Sequence, residues 1–182
     1  MIVARLQAFG HLARRFLGAL RAHPPTHGDR GWVRAHLTEG EYRIWSVMSV
    51  PDQDHSIQVA RAVRDALPSP VDDEVVAAAL LHDSGKNVSN LGTLARVAAT
   101  IFWVVAPVGL MKRREFDHRF SRSSIGQKLI QYRRHPELGA DALEQAGSRP
   151  LVVAWAREHH RPESAWTVDL SVGRVLKDCD DD

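Results

Sequence analysis

The chain has 182 residues, enough for one domain with a real core plus a short extension. Lys and Arg total 24 against 22 Asp and Glu, so no overall basic field points to nucleic acid, and no specific nucleic-acid binding is expected. Cys179 is the single cysteine, which excludes an internal disulfide and a cysteine-rich zinc site and fits a reducing cytoplasm.

Met1 to Leu20 reads as an amphipathic helix, with Ile2, Leu6, Phe9, Leu12, Phe16 and Leu20 at helical spacing and Arg5, Arg14 and Arg15 interleaved. No uninterrupted apolar stretch follows a short basic start, so it does not read as a secretory signal. Packing on the domain or on a partner and contact with a membrane surface are the two readings of its apolar stripe. Arg21 to Gly31, with Pro24, Pro25, Gly28 and Gly31, reads as a linker or loop. Residues 1–37 are therefore assigned to an N-terminal helix and linker, and 38–182 to the main domain.

Thr38 and Glu41 form a capping-box pattern, and the helix behind it carries Ile44, Trp45 and Met48. Pro51 and Asp52 open the next helix, to about Leu67, on which His55, Val59 and Val63 share a face. Pro68 and Pro70 break the chain. Glu74 to Leu81 is then an Ala/Val/Leu helix with Asp72 as N-cap, and it delivers His82 and Asp83 together. His82 shares a face with Val75, Ala78 and Ala79. Gly85 readily takes the left-handed conformation that ends a helix. A buried charge at that inner end is costly unless it is paired or coordinates a metal.

After the polar loop 87–92, residues 94–111 are strongly apolar. The run is shorter than the roughly 20 residues a bilayer requires and contains Pro107, so it reads as a core helix. Lys112, Arg113 and Arg114 behind it keep membrane-surface contact open as a second reading. Ser121 to Gln131 is helical in pattern. His135-Pro136 starts a helix that Gly147 ends, and another runs from Leu151 to His160 with Trp155 one turn below His159. The last helix starts near Ser171, with Val172, Val175, Leu176 and Cys179 on one side. No strand alternation and no repeat emerges, so the expected class is all-α.

His55, His82, Asp83, His135, His159, His160 and an acidic C-terminal helix thus sit at helix ends or on inward faces. Imidazole and carboxylate are the ligands of Zn, Mn and Fe sites, and several such residues together point to a metal site. His55, then His82-Asp83, then a late Asp in Leu176-Lys177-Asp178-Cys179-Asp180 resembles the HD-domain superfamily of metal-dependent phosphohydrolases, over about Thr38 to Asp182. That resemblance implies a helical bundle, here with an extra N-terminal amphipathic helix. It also implies a metal held by His55, His82, Asp83 and Asp180. Asp178 competes with Asp180, and the helical wheel does not decide between them.

His82-Asp83-x-Gly85-Lys86 resembles the longer motif of the HD-GYP cyclic-dinucleotide phosphodiesterases and of the mixed-valent di-iron HD oxygenases. By that resemblance His135 and His159 ligate a second metal, Asp83 bridges, and Asp83 and Lys86 are the catalytic pair, with Lys86 facing a phosphate. His160 and Arg161 stand behind the ligands or toward substrate. Arg161-Pro162-Glu163 replaces the stretch that leads to the Gly-Tyr-Pro signature, and Pro51 replaces the Glu of three-metal members. The implied activity is hydrolysis of a phosphoester, of a nucleotide or dinucleotide, with one or two divalent ions among Mn, Fe, Zn and Mg. The alternatives are a di-iron oxygenase and a non-catalytic nucleotide-binding signalling domain. A cytoplasmic protein is expected, with membrane-surface contact or a homo-oligomer formed through the N-terminal helix and residues 97–111.

Overall fold

The computed structural model describes residues 22–87 and 134–181. Among them the chain forms α1 (His27–His36), α2 (Glu39–Ser46), α3 (Val50–Ala66), α4 (Asp73–Leu81), α5 (His135–Gln145), α6 (Pro150–Glu158) and α7 (Leu170–Asp181), with 3-10 turns at Ser84–Asn87 and Glu163–Ala165. No strand occurs among the described residues, and the class is all-α as expected. The expected helices over 1–20, 94–111 and 121–131 lie outside the described residues. No helix among the described residues is long and apolar enough to cross a membrane.

Local chemistry explains most of the boundaries. Thr38 Oγ1 accepts from Glu41 N, and Glu41 Oε2 accepts from Thr38 N at 2.8 Å, so the capping box opens α2. Asp72 caps α4 through Glu74 N at 2.8 Å. Proline stands in the first turn of α3, α5 and α6, where its missing N–H costs nothing. Gly147, at φ +69°, turns the chain out of α5.

One boundary differs from expectation. Arg21 to Gly31 is not simply a linker, because residues 27–36 are helical. Thr26 and Asp29 cap each other reciprocally, at 3.1 Å and 2.9 Å. Val33 and Leu37 are also buried in the core. Cap and burial together outweigh the roughly 1 kcal/mol that each helical glycine costs.

At the centre lies α4, whose residues Val75 to Leu81 are all buried. It packs against both α3 and α6 and also touches α1 and α2. Ala77, Ala78 and Ala79 have no exposed surface. Their small side chains let the surrounding helices approach closely. Polar ties lock the helix ends around it. Glu74 accepts from Leu151 N at 2.8 Å, capping α6 from α4. Fully buried Glu41 receives Arg149 Nη2 at 2.7 Å and Ser148 Oγ at 2.6 Å, and Arg149 also donates to His36 O at 2.8 Å. One ion pair thus joins the ends of α1, α2 and α6.

Candidate metal centre

The site is assembled from five chain segments around the end of α4. His55 comes from the middle of α3, and His82, Asp83 and Lys86 from the turn after α4. His135 opens α5, His159 and His160 follow α6, and Asp180 sits in the last turn of α7. His82, Asp83, His135, His159 and Asp180 are all buried.

The turn after α4 has its shape because it touches α5 backbone to backbone. A Cβ on Gly85 would lie 1.9 Å from His135 O and 2.7 Å from Gly139 N. Gly85 is therefore required for close approach. Its expected left-handed conformation is not seen, since Gly147 is the positive-φ glycine among the described residues. Gly139, which the sequence reading did not single out, is its partner: a Cβ there would meet Gly85 N at 2.8 Å. A glycine inside a helix costs about 1 kcal/mol relative to alanine, and that cost was the available signal.

Among the described residues, two groups of donor atoms result. His55, His82 and Asp180 form one, and Asp83, His135, His159 and His160 form the other, each with one ligand atom per residue within 4.8 Å of the rest. His55 Nε2 lies 2.9 Å from Asp180 Oδ1, and His82 Nε2 lies 3.3 Å from the same oxygen. Asp83 joins the groups. Its Oδ2 is 3.3 Å from His82 Nε2 and is contacted by Lys86 Nζ. Its Oδ1 is 3.4 Å from His135 Nε2 and 3.6 Å from His159 Nε2. Asp180 is buried and belongs to the first group of donor atoms, whereas Asp178 is exposed.

Tautomers follow from the backbone. His82 Nδ1 is 2.8 Å from Ala79 O, and His159 Nδ1 is 3.0 Å from Ala156 O. A carbonyl accepts and never donates, so both Nδ1 atoms carry hydrogen. Each Nε2 then turns toward carboxylate oxygens. Both Nε2 atoms are buried and lack a hydrogen-bond partner among the described residues. A neutral Nε2 facing a carboxylate is repelled, so each position calls for positive charge, a proton or a metal ion. Burial pushes the His82 imidazole down, but Asp180 and Asp83 more than offset this and raise it to about 10. Asp83 is buried too, yet Lys86 and His82 hold its carboxyl well below the usual range, with smaller contributions from His135 and His159. His159 is pushed down, by burial first and by the His82 and His135 charges as well. This donor set, five imidazoles and two carboxylates around a point that demands positive charge, fits a divalent cation.

His160 is the exposed member of its group, with its ring 4.0 Å from that of His159 and 5.2 Å from that of His135. Arg161 does not join the donor groups; its guanidinium lies 3.7 Å from Glu137 at the surface. Sequence reasoning also missed Glu158. This buried carboxylate accepts from Thr167 N at 2.6 Å and Thr167 Oγ1 at 2.8 Å. Trp166 Nε1 donates to the Glu158 and Arg161 carbonyls, closing the turn that carries both histidines. A Glu directly before a His-His pair was the only cue.

Comparison with protein families gives a match to the HD domain over residues 53–181. No curated protein and no solved structure matches the chain.

Proposed function

The chain belongs to the HD-domain family, whose members form a superfamily of metal-dependent hydrolases, and on that premise we propose that it hydrolyses a phosphoester of a nucleotide or dinucleotide. The observation that carries the proposal is Asp83, whose two oxygens face two different donor groups. In this reading His55, His82 and Asp180 hold one ion, His135 and His159 hold a second, and Asp83 is shared. A metal held there would lower the pKa of bound water toward neutrality and polarise phosphate oxygens.

The chain's own residues supply the rest. The Nδ1–H bonds to Ala79 O and Ala156 O fix the His82 and His159 rings, so that each presents Nε2 without reorganisation. Burial of both carboxylates keeps bulk water from competing for them. Lys86, with its side chain 12% exposed, is close enough to the surface to neutralise charge developing on a phosphate oxygen. His160, the exposed member of its group, is the histidine that this reading turns toward substrate.

Elemental analysis of the purified protein, followed by a panel of phosphodiesters and nucleotides, tests the proposal. Bound transition metal together with turnover of a panel member is the expected result. Oxygen consumption dependent on iron, without phosphoester turnover, would replace hydrolysis with oxygenation. Absence of bound metal after reconstitution would end the reading.

A further inference from the structure

We infer that Lys86 and a metal ion compete for one oxygen, Asp83 Oδ2, so that the two halves of the centre load unequally. This rests on the metal-site reading above. Lys86 Nζ contacts Oδ2, the same oxygen that faces His82 Nε2 at 3.3 Å. The other oxygen, Oδ1, faces His135 and His159 at 3.4 and 3.6 Å. An ion held by His135 and His159 therefore draws on Oδ1 and leaves the Lys86 contact in place. An ion held by His55, His82 and Asp180 would need Oδ2, and because two positive charges on one oxygen repel, it would displace the ammonium.

The part of Lys86 that yields is its side chain. Its backbone N donates to Asp83 O at 3.1 Å, and the adjacent Gly85 is pressed against α5. The ammonium must therefore swing on its four-carbon stem while its Cα stays fixed. The stem is long enough for Nζ to leave the carboxylate and move outward. Filling of the His55 half thus makes the positive group available to an incoming phosphate. Metal in the His55 half and phosphate on Lys86 thus favour each other. The coupling is reciprocal: a phosphate that captures Lys86 raises the affinity of the His55 half for metal.

The test is a Mn²⁺ titration of the full chain, followed calorimetrically and by the loss of free-ion electron paramagnetic resonance signal. The parent, Lys86→Met and Lys86→Gln are compared, each also combined with His135→Ala to isolate the His55 half and with His55→Ala to isolate the other. The parent should show two unequal affinities. Either Lys86 variant should tighten binding in the His135→Ala background by about tenfold or more, and change it less than about twofold in the His55→Ala background. Equal tightening in both backgrounds would mean simple repulsion at a distance and would overturn the inference. So would no tightening in either.

A second readout uses the unmodified protein, so it does not depend on any variant folding. Acylation of Lys86 by an amine reagent, followed by mass spectrometry, should quicken several-fold when the second equivalent of Mn²⁺ binds. A rate independent of metal would overturn the displacement. Failure of every protein to bind Mn²⁺ would instead overturn the metal reading itself, and this inference with it.

Discussion

Gly85→Ala offers the sharpest test of how the centre is held together. The added methyl would sit 1.9 Å from His135 O, and ordinary contact begins near 3.4 Å, so the turn and the start of α5 must separate by about 1.5 Å (3.4 − 1.9). The obstacle is backbone, which cannot rotate away as a side chain would. Overpacking of this kind costs roughly 1–3 kcal/mol, and a backbone clash belongs at the upper end. The consequence for the site is larger, because the carbonyl that must move belongs to His135 itself, whose Nε2 is 3.4 Å from Asp83 Oδ1. A displacement of about 1 Å in a positioned group can cost about a hundredfold. The assays are urea unfolding and metal titration. The expected result is a stability loss of about 3 kcal/mol and loss of the equivalent of metal that His135 and His159 would hold. Gly31→Ala is the control: nothing lies within 4 Å of its Cβ, and α1 should gain about 0.5–1 kcal/mol. Wild-type stability and stoichiometry in Gly85→Ala would refute the close-approach argument.

Asp180→Ala should remove metal from the His55 half, whereas exposed Asp178→Ala should leave stoichiometry unchanged; elemental analysis of both checks this. Asp83→Asn and Asp83→Ala should both lose metal and phosphoester turnover, and unchanged metal content in Asp83→Ala would remove Asp83 as a ligand. Arg149, Ser148 and the Thr38 backbone outweigh burial and lower the Glu41 carboxyl to about 2, from 4.5 when unfolded. A depressed folded value adds stability above pH 4.5 that disappears as pH falls through about 2, on the order of 3 kcal/mol. Unfolding free energies of the parent and Glu41→Gln between pH 6 and 2 should therefore converge toward acid, and parallel curves would refute the assignment. Glu158→Ala should cost about 1–3 kcal/mol by leaving two Thr167 donors without acceptors, measurable by urea unfolding. Liposome co-sedimentation of the full chain against a form starting at Thr38 tests membrane-surface contact; equal, negligible binding by both removes it.

The helices were largely legible because their ends carry local chemistry. Thr38, Asp72, Pro51, Pro136 and Gly147 act within one turn of themselves. The histidines were legible because each interrupts an apolar pattern. What escaped depends on distant parts of the chain. A wheel could not separate Asp180 from Asp178, since burial depends on how α7 seats against α3. Gly28 and Gly31 hid α1 because its main support is core packing of Val33 and Leu37 rather than helix propensity. Gly85 was noticed for a conformation it does not adopt, because a backbone-to-backbone contact leaves no mark on sequence apart from the two glycines that make it. Lys86 lay in a recognisable motif, yet its contact with one particular carboxylate oxygen needed coordinates.

The histidine tethers also carry a consequence for the field at the centre. His82 caps the C-terminus of α4 and His159 that of α6. Both helices therefore end at the donor atoms, and a helix C-terminus carries partial negative charge. Peptide dipoles add to the attraction that the carboxylates exert on a cation, and side-chain replacement cannot remove that part. The same two termini repel an anion arriving alone, whereas the N-terminus of α5, which His135 opens, attracts one. At these two helix ends the main chain itself favours positive charge, and the carboxylates of Asp83 and Asp180 add to it.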